Sequence, residues 1–73
     1  MDDRGLLAAI GEALYGERWK TELANDLKID DRSLRRWIQT SEIPPGVWRE
    51  LAELLEARRA DIDGLLPQVR ERS

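Results

Sequence analysis

The stretch "KTELANDLKIDDRSLRRWIQ", Lys20–Gln39, contains two short amphipathic segments on either side of the junction "KIDD". Apolar residues recur at helical spacing in both segments, with Leu23 and Leu27 before the junction and Leu34 and Trp37 after it. Residues three and four apart share one side of a helix, so each segment has an apolar face and a polar face. The pattern predicts two helices that pack together through their apolar faces.

The junction contains a helix start signal. Asp30 has a side chain that can accept hydrogen bonds from the backbone N–H groups of Arg32 or Ser33, as an N-cap residue does. The segment that follows is therefore predicted to be helical over residues 31–39. Before the junction, Gly16 can open a helix that covers residues 17–27.

The rest of the chain also has helical periodicity. A first helix is predicted from the Asp2–Asp3 pair to Gly16, with an apolar stripe of Leu6, Leu7, Ile10 and Leu14. The Thr, Ser, Pro and Gly residues of "TSEIPPGVW" predict a break, and Pro45 suits the first turn of the helix that follows it. That segment can be one long helix or two with a joint near Asp61, and Pro67 is predicted to end it. No segment alternates with period two, so we expect an all-α fold.

Composition restricts the possible chemistry. The chain has 73 residues, which fits one small domain, and it has no cysteine and no histidine. Disulfides and thiolate metal sites are therefore excluded, and the commonest general base is missing. No catalytic arrangement can be assembled from what remains. We expect no enzyme activity, no metal, no cofactor and no small-molecule ligand, and the marginal stability of so short a chain favours a second copy as added support.

The charge is unevenly distributed along the chain. The net charge is −3, but the acidic excess falls on residues 1–17 and 40–73, whereas residues 18–39 are slightly basic. Three arginines occupy five positions at Arg32, Arg35 and Arg36. These side chains can form an ordinary solvated face, paired with nearby acids, or a surface for a negatively charged partner. No apolar run is long enough to span a membrane, and we expect a soluble, cytoplasmic protein.

Lys20–Gln39 resembles the helix-turn-helix of the phage-repressor (Cro/C1-like) family. Ala24 is small where the two helices would touch closely, and five apolar positions would hold the crossing angle: Leu23, Leu27, Ile29, Leu34 and Trp37. The family usually has glycine where this chain has Lys28. A lysine there must adopt the left-handed conformation at a cost of roughly 1–2 kcal/mol, or the turn has a slightly different shape. The resemblance implies that residues 1–73 form a compact four- or five-helix lambda-repressor-like domain with a long C-terminal helix.

The resemblance also implies a function. In this family the second helix of the pair enters the major groove of double-stranded DNA, and the first helix meets the phosphate backbone. Matched positions assign base contacts to Asp31, Arg32 and Arg36, and backbone contacts to Lys20, Thr21, Ser33, Arg35 and Gln39. The expected function is that of a sequence-specific transcriptional regulator, a small repressor or autorepressor that binds an inverted repeat.

Two alternatives stay open at this point. The apolar residues Ile62, Leu65, Leu66 and Val69, in the segment 60–70, can pack back onto the first helix or form the interface of a homodimer, which we favour because one small domain offers few phosphate contacts. The same fold can also serve as a protein-interaction module, antitoxin-like or inhibitor-like, through its acidic surfaces. The position of the carboxylates relative to the arginines discriminates between DNA and protein partners.

Overall fold

The computed structural model describes residues 2–73, which form four α-helices and no β-strand. The helices are α1 (Asp3–Tyr15), α2 (Trp19–Leu27), α3 (Asp31–Thr40) and α4 (Pro45–Arg72). The expected all-α class is thus confirmed, and four helices are present within these residues. None of them is both long enough and apolar enough to cross a bilayer.

The caps of α1 and α3 follow from the sequence. The carboxylate of Asp2 accepts from the backbone N–H of Gly5 at 2.7 Å, and that of Asp30 accepts from the backbone N–H of Ser33 at 2.8 Å. Each bond satisfies one of the N–H groups that the first turn of a helix leaves free. The predicted N-cap at Asp30 is confirmed.

The start of α2 differs from the prediction. Gly16 has a φ of 84° and caps the C-terminus of α1, where its N–H donates to the carbonyl of Glu12. Because Gly16 is used there, α2 begins only at Trp19, after a turn, and its N-cap Arg18 makes no side-chain capping bond. The helix is therefore two residues shorter at its N-terminus than the segment 17–27.

The turn between α2 and α3 has the expected left-handed residue. Lys28 has φ 59° and ψ 42°, so a lysine occupies a conformation that normally favours glycine. The backbone N–H of Ile29 donates to the carbonyl of Ala24 at 3.0 Å, and that of Lys28 donates to the carbonyl of Asn25 at 3.1 Å. These two bonds satisfy the last carbonyls of α2 and fix the direction in which α3 leaves the turn.

The core is built from all four helices. Each helix contributes one leucine that is essentially inaccessible to solvent: Leu7, Leu23, Leu34 and Leu51. Trp19, Ala24, Leu27 and Val47 complete the buried cluster, and Ile29, Trp37, Ile38 and Trp48 pack against it while half-buried. Trp19 lies against Gly11, where a Cβ would come within 2.9 Å of Cγ of the indole and closer still to two other ring atoms. The close approach of α1 and α2 therefore depends on the missing side chain of Gly11.

The last helix is a single element of 28 residues, with no joint at Asp61. The prediction that Pro67 ends it is wrong, because the helix continues through Pro67 to Arg72. Proline cannot donate the bond that residue 67 would make to the carbonyl of Asp63, and its ring crowds that carbonyl, yet the helical conformation is kept on both sides of it. At ~1.5 Å per residue the helix is about 42 Å long. The whole molecule extends 46 Å along its longest axis.

Two side-chain hydrogen bonds connect α1 with α2 and with α4. The Tyr15 hydroxyl donates to the Asp26 carboxylate, and Arg58 Nη1 donates to the carbonyl oxygen of Leu14 at 2.7 Å. Arg58 also lies over the Tyr15 ring, with Cζ 5.9 Å from its centroid. Burial, followed by the bond to Asp26, raises the pKa of Tyr15 to about 12. The contacts of Arg58 hold the first half of α4 against the C-terminal end of α1.

Tyr15→Phe is expected to reduce the free energy of unfolding at neutral pH by about 0.5–1.5 kcal/mol, because one side-chain hydrogen bond is lost. The folded protein keeps a phenol proton that the unfolded chain releases near pH 10, so wild-type stability should fall as the pH rises from 10 towards 12. Urea denaturation across this range measures both effects. Tyr15 is the one tyrosine of the chain, so ultraviolet titration reports its pKa directly. An equal alkaline loss of stability in wild type and variant would contradict the assignment.

Candidate nucleic-acid interface

The candidate interface is the outward face of α3. Leu34 is 1% exposed, and Trp37 and Ile38 pack against the core. The apolar side of α3 therefore faces the interior of the protein. Helical geometry then directs Arg32 and Arg36, four residues apart, away from the core. Both arginines are exposed to solvent, as is Arg35.

Most of the residues predicted to contact DNA line two adjoining surface depressions. The first is formed by α3 alone, and the second lies between the N-terminal ends of α2 and α3. Asp31 and Arg35 line both depressions and connect them. The first is lined by Asp30, Asp31, Arg32, Arg35, Arg36 and Gln39, and the second by Glu17, Arg18, Lys20, Thr21, Asp31, Leu34 and Arg35. Seven of the eight predicted DNA contacts therefore lie on one continuous surface.

Ser33 is the predicted contact that lines neither depression. Its backbone N–H is bonded to the Asp30 cap, and the residue is half-buried. It stands one position from Leu34, on the flank of the helix that turns towards the core. Its prediction as a backbone contact remains untested.

Arg18 is a residue of this surface that the sequence reasoning did not identify. It lines the second depression beside Lys20 and Thr21 and adds a third basic side chain there, with Arg35. The signal was available in the sequence, because Arg18 stands two residues before Lys20. It was missed because α2 was predicted to begin at residue 17, whereas in the structure Arg18 caps the helix.

The three arginines of α3 have no carboxylate partner. Within residues 2–73, the one ion pair with a nitrogen–oxygen distance below 4 Å is Arg59–Asp63 at 3.8 Å, on the exposed second half of α4. Two acids of α4, Glu50 and Glu53, line a separate hollow with Asp26 and Lys28. The guanidinium groups of α3 are therefore available to an outside partner.

Hydrogen-bond donors and arginine side chains together contribute a positive potential at the carboxylate of Asp30. Hydrogen bonding from Ser33, and after it the nearby charges of Arg32 and Arg36, hold the pKa of Asp30 below its ordinary value. The unpaired N–H groups of a helix N-terminus add to the same potential. Asp30 and Asp31 are the acidic residues at this end of the helix, and both line the first depression. The surface offers fork-shaped donors beside isolated acceptors, which is the combination that can read base edges.

The segment 60–70 lies apart from this surface. Ile62, Leu65, Leu66 and Val69 are 53%, 60%, 41% and 61% exposed, so they do not pack back onto α1. The last side-chain hydrogen bond from α4 to α1 is made by Arg58. No group of three or more His, Cys, Asp or Glu side chains in the described part of the chain is arranged to hold a metal ion.

Comparisons with protein-family models, with curated proteins and with solved structures gave no match. The resemblance of Lys20–Gln39 to phage repressors therefore depends on the residues themselves and on the arrangement of α2, the turn and α3.

Proposed function

We propose that this protein is a sequence-specific DNA-binding transcriptional regulator of lambda-repressor-like fold, in which α2 and α3 form the helix-turn-helix. In this proposal α3 enters the major groove of double-stranded DNA. Arg32 and Arg36 donate to guanine O6 and N7, and Asp31 accepts from cytosine N4. In this proposal the bound protein acts as a repressor or autorepressor.

The observation that carries the proposal is the state of the three α3 arginines. Arg32, Arg35 and Arg36 are exposed, none is in an ion pair, and the apolar residues of the same helix are already packed inward. An exposed ion pair to the protein's own carboxylates would contribute at most about 1 kcal/mol, but it would compete with an outside partner for the guanidinium group. Here Glu50 and Glu53 lie around Lys28 instead, on a different surface. Glu17, Asp30 and Asp31 line the same depressions as the arginines but form no ion pair with them. The arginines therefore stay free for a partner, which favours DNA over an acidic-surface interaction module.

The backbone contacts would come from the second depression. Lys20, Thr21 and Arg35, together with Arg18, surround the N-terminal end of α2, where free N–H groups also attract phosphate oxygens. Gln39 at the far end of the first depression would add a contact on the opposite strand. These contacts set affinity and register, while Arg32 and Arg36 set sequence preference.

Selection of bound duplexes from a random pool tests the proposal. We expect enrichment of a short G·C-containing half-site, repeated in inverted orientation with centres about 10–10.5 base pairs apart. Enrichment of a single half-site would support DNA reading but contradict the inverted repeat. A pool that stays random after several rounds would overturn the proposal and favour a protein partner.

A further inference from the structure

The second half of α4 is a helix with no packing partner. All residues from Leu55 to Ser73 are exposed, and α4 makes its last side-chain bond to another helix at Arg58. This unpacked part contains Gly64 and Pro67, the two residue types that least favour an α-helix. Isolated helices of this length are marginal in water, and most helices in proteins are stabilised by packing of their apolar face. The apolar face of this segment therefore requires cover.

From these features we infer that residues 59–72 pair with the same segment of a second copy of this chain, in antiparallel orientation, about a two-fold axis close to Leu65 and Leu66. The inference deepens the proposed function, because two paired copies would present two α3 helices to one duplex. The pairing itself does not require DNA.

The apolar positions have the symmetry that such a pairing needs. Ile62 and Val69 lie equally far along the helix from the point midway between Leu65 and Leu66. A two-fold interface uses the same patch on both copies, so each residue on one side of the axis meets its counterpart from the other side. At 3.6 residues per turn the four side chains form one stripe, and Gly64 and Pro67 fall outside it. The stripe is therefore self-complementary in its length and in its position.

The charges favour antiparallel over parallel pairing. The acids Asp61 and Asp63 precede the midpoint, and Arg70 and Arg72 follow it. Helical spacing places Asp61 and Arg72 on one flank of the stripe, and Asp63 and Arg70 on the other. In an antiparallel pair, each flank lies beside the same flank of the second copy, and the two run in opposite directions. Asp61 then faces Arg72 of the second copy, and Asp63 faces its Arg70.

Within a single chain, the acids Asp61 and Asp63 form no ion pair with Arg70 or Arg72. Asp63 is in a weak, exposed pair with Arg59 at 3.8 Å, and the Arg72 guanidinium folds back to the carbonyl of Gln68 at 2.8 Å. In the pair of chains, Asp63 would lie between Arg59 of its own chain and Arg70 of the second copy, and could form an ion pair with both. The buried area of one helix pair lies near the lower end of specific interfaces, so we expect association in the micromolar range.

Charge reversal in complementary variants tests the pairing without DNA. One chain carries Asp61→Arg with Asp63→Arg, and the other carries Arg70→Asp with Arg72→Asp. All four positions are exposed, so the core of α1–α4 should be unaffected. Sedimentation equilibrium should show a wild-type dimer and at least tenfold weaker self-association of each variant. The 1:1 mixture should associate as a heterodimer at about wild-type strength, and the difference should disappear at ~1 M salt.

Two results would overturn the inference. One is a wild-type chain that stays monomeric up to millimolar concentration. The other is a mixture of the two variants that associates no more tightly than either variant alone, since the oppositely charged flanks of the two segments would then not meet in an interface. Failure here would leave DNA reading by α3 intact, and the duplex selection then returns a single half-site. If the two variants form the heterodimer but the duplex selection enriches no sequence, the proposed function is wrong and the pairing of the chains stands.

Discussion

Arg32→Ala and Arg36→Ala are each expected to weaken binding to the selected duplex about 5- to 150-fold, which corresponds to ~1–3 kcal/mol for one bidentate contact to guanine. The two side chains lie on the same exposed side of α3, and neither has a carboxylate partner to be released first. Each variant should also lose preference at one base position. Equilibrium titration of selected and scrambled duplexes, at one fixed salt concentration, measures both effects.

Lysine at the same positions separates base reading from charge. Arg32→Lys and Arg36→Lys keep the positive charge but lose the planar fork that matches O6 and N7 of guanine. We expect these variants to bind scrambled duplex like the wild type and to lose most of the preference for the selected one. Lys20→Ala should behave in the opposite way, with weaker binding to every sequence and a smaller salt dependence.

Arg4→Ala is the matched control, since it removes an exposed arginine from α1, outside both depressions. It should leave the ratio of selected to scrambled affinity unchanged. If Arg32→Ala and Arg36→Ala reduce both affinities by equal factors, the arginines act only on phosphates. If they change neither affinity, α3 is not the reading helix.

Local signals in the sequence predicted much of this surface. The N-cap at Asp30, the inward residues of α3 and the left-handed conformation of Lys28 each depend on a few neighbouring residues, and all three are present in the structure. The i, i+4 spacing of Arg32 and Arg36 was enough to place them together on the side of α3 away from Leu34.

What local signals could not predict depends on distant parts of the chain. Whether the arginines find acidic partners is decided by where α4 places Glu50 and Glu53, which is a property of the tertiary packing. The start of α2 depends on which of two helices uses Gly16 as a cap, and the sequence around Pro67 contains no local signal that the helix continues beyond it. The contact between Gly11 and Trp19 joins two helices across a turn and has no periodic signal.

That contact gives the largest expected effect on stability. Gly11→Ala places a Cβ within 2.9 Å of Cγ of Trp19 and nearer still to other atoms of the ring. Trp19 is 5% exposed and belongs to the core cluster, so the indole cannot move aside into solvent without opening the core. Overpacking of a core typically costs 1–3 kcal/mol and occasionally more. Alanine also favours the helix by about 1 kcal/mol relative to glycine, so with overpacking at the upper end of its range the net loss is expected to be about 2 kcal/mol.

In a chain of this size, a loss of 1 kcal/mol lowers Tm by roughly 4–8 °C. Gly11→Ala should therefore lower Tm by about 8–16 °C, and the larger values are expected if Trp19 cannot repack. Fluorescence of the three tryptophans and circular dichroism, followed together during thermal unfolding, measure the shift. A change in tryptophan emission of the folded variant would show that α1 and α2 have separated at this contact.

Gly64→Ala is the matched control, because it is the same substitution in a helix where a new Cβ meets nothing within 4 Å. Here only the helix propensity changes, so stability should rise by up to ~1 kcal/mol. Opposite signs for the two variants would locate the effect in the packing of Trp19, since propensity acts equally at both sites. If Gly11→Ala is as stable as the wild type, α1 and α2 do not approach as closely as described, and the position of α3 relative to the core would need revision as well.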